Sequence, residues 1–180
     1  MIRLFLTDVD GTLTDATYLV MPSGDRAKTF NTRDWFGMSQ LQKSGCQVSI
    51  ISGDESCSVT RQVGRVTRTN REEQGVGLHQ GISDKLDFVG RNYIKPNGEF
   101  EWNEVAFVGD DNNDVRLLEA VGYPACPCDA VENVKNTIRG LPDGLVLDCK
   151  GGGGCVREFA DLIQLTWYNG SEVLNQLPRG

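Results

Sequence analysis

The chain has 180 residues, 24% of them charged, and a formal net charge of -7, the profile of an ordinary soluble globule long enough for one domain with a real core. An acidic balance without a long basic stretch excludes nucleic acid and an anionic membrane surface as electrostatic partners. No run approaches the ~20 apolar residues of a membrane span.

Six cysteines, at 46, 57, 126, 128, 149 and 155, form no paired C-x-x-C motifs, and His79 is the single histidine. Zinc hydrolases and histidine phosphatases draw on more imidazoles than that. No secretory leader is recognisable, so reduced thiols and a cytoplasmic location are expected.

The first element, LFLT at 4–7, reads as a buried strand and is followed by Asp8, Asp10 and Gly11. A continuous apolar run suits a parallel strand covered on both faces, and ligands gather at the carboxyl ends of such strands. Alternation sends positions 8 and 10 to one side, while Gly11 lets the backbone turn and a neighbour come close. Two carboxylates at such a spot repel by about 4 kcal/mol at intermediate dielectric, which calls for a cation between them. On its own, Asp-x-Asp-Gly is equally a turn after a strand.

Residues 18–21, Pro22-Ser23-Gly24-Asp25 and 26–30 read as strand, turn and strand, a hairpin flap spanning about 17–30. Asp34 is the expected N-cap of a helix to about 44, with Trp35, Met38 and Leu41 inward. A second strand at 46–51 ends in Ser52 and Gly53, and a helix near 55–65 buries Val59, Val63 and Val66. Residues 67–81 are polar and glycine-containing, predicting an exposed loop or short strand.

Asp84 caps a helix whose first turn holds Lys85 and whose inner face is Leu86, Val89 and Tyr93. A cation there opposes the helix dipole, so an anion should face it. A turn at 95–98 leads to a third strand at 104–109, ending in Asp110 and Asp111. Helices follow at 112–121, 130–138 and 155–165, and the tail 167–180 has only a weak hydrophobic pattern. Strand and helix alternate throughout, which predicts a three-layer α/β/α sandwich, a Rossmann-like, mostly parallel sheet in one domain. The run Gly151–Gly154 reads either as a flexible linker or as free N–H groups that meet an anion together with Arg157.

Taken together, Asp8-Val9-Asp10-Gly11, Ile50-Ile51-Ser52-Gly53, Asp84-Lys85 and Val108-Gly109-Asp110-Asp111 resemble the haloacid dehalogenase superfamily of magnesium-dependent phosphohydrolases. Phe30-Asn31-Thr32-Arg33-Asp34 and Gly151 to Glu158 are similar to its small sugar-acid phosphatases, which act on 3-deoxy-manno-octulosonate 8-phosphate or nonulosonate 9-phosphates. The resemblance implies Asp8 as nucleophile, Asp10 as acid and base, and Ser52 and Lys85 as ligands of the transferring group. It implies Mg2+ held by Asp8, the Asp10 carbonyl and Asp110, with Asp111 and Asp114 orienting waters or neighbours.

Gly53, Asp54, Arg65 and Arg157 are the candidates for binding substrate. An acid at position 54, where the octulosonate enzymes often carry a base, points to a nonulosonate 9-phosphate, with the octulosonate 8-phosphate as the alternative. The gaps between motifs, about 40 and about 30 residues, are too short for a cap domain of ordinary size, ~100 residues. An open site and the family likeness together imply a homotetramer. Two rivals remain: a phosphoacceptor receiver domain, against which the order of the acidic motifs argues, and a non-catalytic scaffold of the same fold.

Overall fold

In the computed structural model, which describes residues 1–70, 75–96 and 98–169, the chain forms β1 (Leu4–Thr7), β2 (Leu19–Val20), β3 (Arg26–Ala27), α1 (Thr32–Lys43), β4 (Gln47–Ile51), α2 (Cys57–Asn70) and β5 (Gly77–His79). There follow α3 (Lys85–Asn92), β6 (Val105–Val108), α4 (Val115–Ala120), β7 (Tyr123–Cys126), α5 (Glu132–Gly140), β8 (Leu145–Val146) and α6 (Cys155–Asn169). Six strands make one parallel sheet in the order β5-β4-β1-β6-β7-β8. The expected Rossmann-like sandwich is what the chain builds.

All four residues of β1 are buried, and alternation divides Leu4, Phe5 and Leu6 between two cores. Phe5 joins Val48, Ile50, Ala106 and Val108 on the face covered by Met38, Leu41, Val59, Phe159 and Ile163. Leu4 and Leu6 join Ile51, Val105 and Phe107 on the opposite face, under Val89, Leu117, Val134 and Ile138. Each such side chain taken fully from water is worth roughly 1.5–3 kcal/mol. The period of two in the strands thus makes the three layers.

The helix after the flap starts earlier than the expected cap. Asn31 is the N-cap of α1, its side chain accepting from the Arg33 N–H at 3.0 Å. Asp34 is instead aimed across at α6, where Oδ1 accepts from the Arg157 N–H at 2.8 Å. A first-turn aspartate and a capping aspartate look alike in sequence, and here the neighbouring helix takes it. Gly37 lets the two helices close up, since a Cβ there would sit 3.1 Å from the Arg157 Cα.

The short strand expected within 67–81 is present, and the start of that stretch is helix. α2 runs to Asn70, and β5 is an edge strand of the main sheet paired with β4; positions 71–74 lie outside the described residues, as does the tail from 170. The flap is a separate two-stranded sheet that pairs Leu19 with Ala27 and Val20 with Arg26. Among the described residues no helix is long and apolar enough to cross a membrane.

Candidate active site

Parallel register brings the acids together. Thr7 of β1 lies beside Val108 of β6, so the chain leaves both strands on the same edge, and the Asp8 N–H donates to the Val108 carbonyl at 3.0 Å. Gly11, at φ +84°, then turns the loop back under Asp110. The Thr12 hydroxyl donates to Asp110 Oδ1 at 3.3 Å. Asp114 folds inward at the entry to α4, where Oδ2 accepts from the Asp110 and Asp111 N–H groups at 3.0 and 3.2 Å.

Lys85 is the first residue of α3, which Asp84 caps by accepting from the Asp87 N–H at 3.0 Å. Its side chain is 1% exposed, and Nζ stands 2.8 Å from Asp8 Oδ1 and 2.5 Å from Asp114 Oδ1. The anion expected in front of this helix start is therefore a pair of carboxylates. Burial works against the Lys85 ammonium, but Asp8 and Asp114 outweigh it and hold its pKa above the ordinary value.

One ammonium does not balance this cluster. Asp8, Asp110 and Asp114 each offer an oxygen, all within 4.8 Å of one another. Burial pushes the Asp110 carboxyl up to about 8, with Asp8, Asp114 and Asp111 adding to the push and Lys85 opposing it. Asp8 is likewise raised, chiefly by burial and further by Asp114, against the pull of Lys85. A buried, all-oxygen donor set with surplus negative charge suits a hard divalent cation of the magnesium type. Asp114 is already engaged by Lys85 and two N–H groups, which leaves Asp8 and Asp110 as the freer carboxylates.

The other expected residues are distributed around this centre. Ser52 ends β4, is 1% exposed, and its Oγ accepts from the Asp54 N–H at 3.1 Å. Asp10 and Asp54 are joined by a residue that the motifs do not reveal, Lys28, whose Nζ lies 2.7 Å from Asp10 Oδ1 and 2.5 Å from Asp54 Oδ2. Alternation held a signal for it: Phe30 packs against the core, so Lys28, two positions earlier, faces inward as well. Arg65 lines a cleft of about 470 Å³ between flap and α2, together with Lys28, Arg26 and Arg61.

Arg157 is paired within its own helix. Its guanidinium donates to both oxygens of Asp161 at 2.7 and 2.8 Å and lies 5.0 Å over the Phe36 ring. The glycine run is neither a slack linker nor a row of free donors. The Gly151 N–H donates to Asp129 Oδ1 and the Gly152 N–H to the Thr12 carbonyl, both at 2.9 Å. A Cβ on Gly151 would fall 1.9 Å from the Gly11 carbonyl oxygen, so the run braces the loop after Asp8.

No protein-family model matches the chain. The 3-deoxy-D-manno-octulosonate 8-phosphate phosphatase KdsC of Yersinia pestis is 33% identical over 165 residues, covering 91% of this chain and 80% of that protein. The chain belongs to the KdsC family of haloacid dehalogenase (HAD) phosphatases. A solved KdsC-type structure, the 3-deoxy-D-manno-octulosonate 8-phosphate phosphatase of Moraxella catarrhalis in complex with a magnesium ion, a phosphate ion and a KDO molecule, superposes with a TM-score of 0.77 at 26% identity. That match covers 97% of this chain and 92% of that one. Family membership is not confined to free-standing KdsC proteins: N-acylneuraminate cytidylyltransferase A of Danio rerio is 33% identical over 165 residues, 92% of this chain. The chain spans about a third of the length of the cytidylyltransferases it matches.

Proposed function

We propose that the chain is a magnesium-dependent phosphatase that hydrolyses a sugar-acid phosphate through an aspartyl-phosphate on Asp8. The observation that carries this reading is the convergence of Asp8, Asp110 and Asp114 around one point with Lys85 against them. A phosphate monoester resists attack because its own charge repels nucleophiles, so positioning and neutralisation are most of the task. Asp8 and Asp110, with the Asp10 carbonyl, would hold Mg2+, which when bound supplies positive charge to the phosphoryl oxygens.

The remaining steps belong to side chains. The Asp8 carboxylate attacks phosphorus, the bond to the ester oxygen breaks, and Asp10 gives that oxygen its proton. Asp10 then takes a proton from the water that attacks the aspartyl-phosphate and releases inorganic phosphate. Ser52 Oγ and Lys85 Nζ bind the oxygens of the transferring group. Gly53, Asp54, Arg65 and Arg157 are proposed to contact the sugar acid, and the cleft beside Arg65 has a size suited to it.

The acid at position 54 and the kinship with N-acylneuraminate enzymes favour a nonulosonate 9-phosphate. Kinship with KdsC proteins favours 3-deoxy-manno-octulosonate 8-phosphate as the second reading. Four exposed apolar residues on the flap, Tyr18, Leu19, Val20 and Met21, support association with further copies of the chain; a homotetramer in the cytoplasm is the assembly proposed. Phosphate release from both sugar-acid phosphates, with and without Mg2+, tests the function: turnover that needs the metal is expected, and none with either ester overturns the reading in favour of a scaffold. Light scattering tests the assembly, and a fully active monomer defeats it.

A further inference from the structure

Lys28 is the least expected ion in the molecule. It follows β3, whose own residues Arg26 and Ala27 are exposed, yet its side chain is 2% exposed. Nζ lies 2.7 Å from Asp10 Oδ1 and 2.8 Å from Asp10 Oδ2, so the ammonium straddles the whole carboxylate. On its other side it holds Asp54 Oδ2 at 2.5 Å. Among the described residues the Asp10 side chain otherwise accepts one long bond, 3.4 Å from the Thr14 hydroxyl.

We propose that Lys28 is the positioning residue for Asp10, fixing from the flap where the acid's proton is presented to the ester oxygen, with Asp54 anchoring the ammonium. The inference rests on the phosphatase reading above. Asp10 is 37% exposed, and a half-open carboxylate without a clasp samples several rotamers. Each carboxylate oxygen has two lone-pair directions, so the ammonium fixes the carboxyl group and still leaves a site for the proton on either oxygen. When the phosphorus–oxygen bond breaks, its electron pair goes to the ester oxygen, and the proton on Asp10 moves there to give a neutral alcohol. A misplacement of about 1 Å costs such a transfer about 100-fold.

The same contacts would also fasten the flap, and the leaving group separates the two roles. Because the flap and Lys28 line the sugar cleft, the two esters compared lack the sugar: phenolate is basic enough to need the proton, whereas 4-nitrophenolate, of nearly the same size, leaves without it. The purified full chain, Lys28→Met and Lys28→Arg are assayed with Mg2+ on phenyl phosphate and on 4-nitrophenyl phosphate. The constant kcat/KM is read because it covers the step in which the leaving group departs. In Lys28→Met it is expected to fall roughly 10- to 30-fold on the phenyl ester and less than about threefold on the nitrophenyl ester, with Lys28→Arg recovering most of the loss.

Parallel losses on both esters, or no loss on either, overturn the assignment while leaving the phosphatase reading intact. A wild type that releases no phosphate from either ester overturns the assignment, and one that releases none from the sugar-acid phosphates as well overturns both. Should Lys28→Met fail to fold, the same ratio of ratios read on Lys28→Gln, which keeps a donor without the charge, decides in the same way.

Discussion

Gly11 and Asp110 share one space: a Cβ on the glycine would lie 1.9 Å from Asp110 Oδ2, at a φ of +84° that already disfavours side chains. The missing methyl is thus what lets the β6 carboxylate reach the loop after β1. Gly11→Ala should displace Asp110 and cost cation affinity. Bound at 100 times its dissociation constant, a metal stabilises the fold by about 2.7 kcal/mol. Thermal melting of the wild type should show a rise on adding Mg2+, and the alanine variant should show little or none.

Asp8→Asn keeps the size and removes the nucleophile. Phosphate release should drop to a trace, more than about 1,000-fold, while circular dichroism stays that of the wild type. A variant that retains substantial metal-dependent turnover would remove Asp8 from its proposed role.

Lys85→Met tests the balance of the buried charges. Without the ammonium, Asp8 and Asp114 face each other in a dry site, and breaking a buried pair of this kind costs roughly 3–5 kcal/mol. Urea unfolding should show that loss in the presence of a chelator. Mg2+ should restore a larger part of the stability in this variant than it adds to the wild type, because the cation answers the same carboxylates.

Asp34 gives the protein a pH-dependent element away from the acid cluster. Burial raises its pKa from 3.8 to about 6, against the Arg157 and Val156 N–H groups that lower it. Its Oδ2 is buried without a partner. The folded state therefore holds the proton more tightly than the unfolded one, a contribution fully present below the unfolded pKa and lost as pH rises through about 6. Asp34→Asn removes that dependence. The stability of the variant minus that of the wild type should climb by roughly 2.5 kcal/mol between about pH 4 and about pH 7, and a flat difference in urea titrations would contradict it.

The central sheet was legible because β1, β4 and β6 are apolar runs that end in polar groups, and the acids at 8 and 110 do meet. β7 and β8 were not legible: YPAC is short and carries a proline, and β8 has two residues. A period needs length to be read. Asp34 was misassigned because the partner of a capping carboxylate can lie 123 positions away, beyond any local signal. Lys28 was missed although its spacing from Phe30 hinted at it, since a lysine after a short exposed strand reads as a solvated charge until the fold brings Asp10 and Asp54 to it.

Sheet order also governs when the molecule becomes complete during synthesis. β1 lies between β4 and β6, so its two edges are satisfied by segments the ribosome delivers far apart in time. A chain ending near position 100 would hold Asp8 and Lys85 with one side of the first strand unpaired, a bare edge open to other strands. Only when the stretch through Asp114 emerges is that edge sealed and the ion cage closed, in one event.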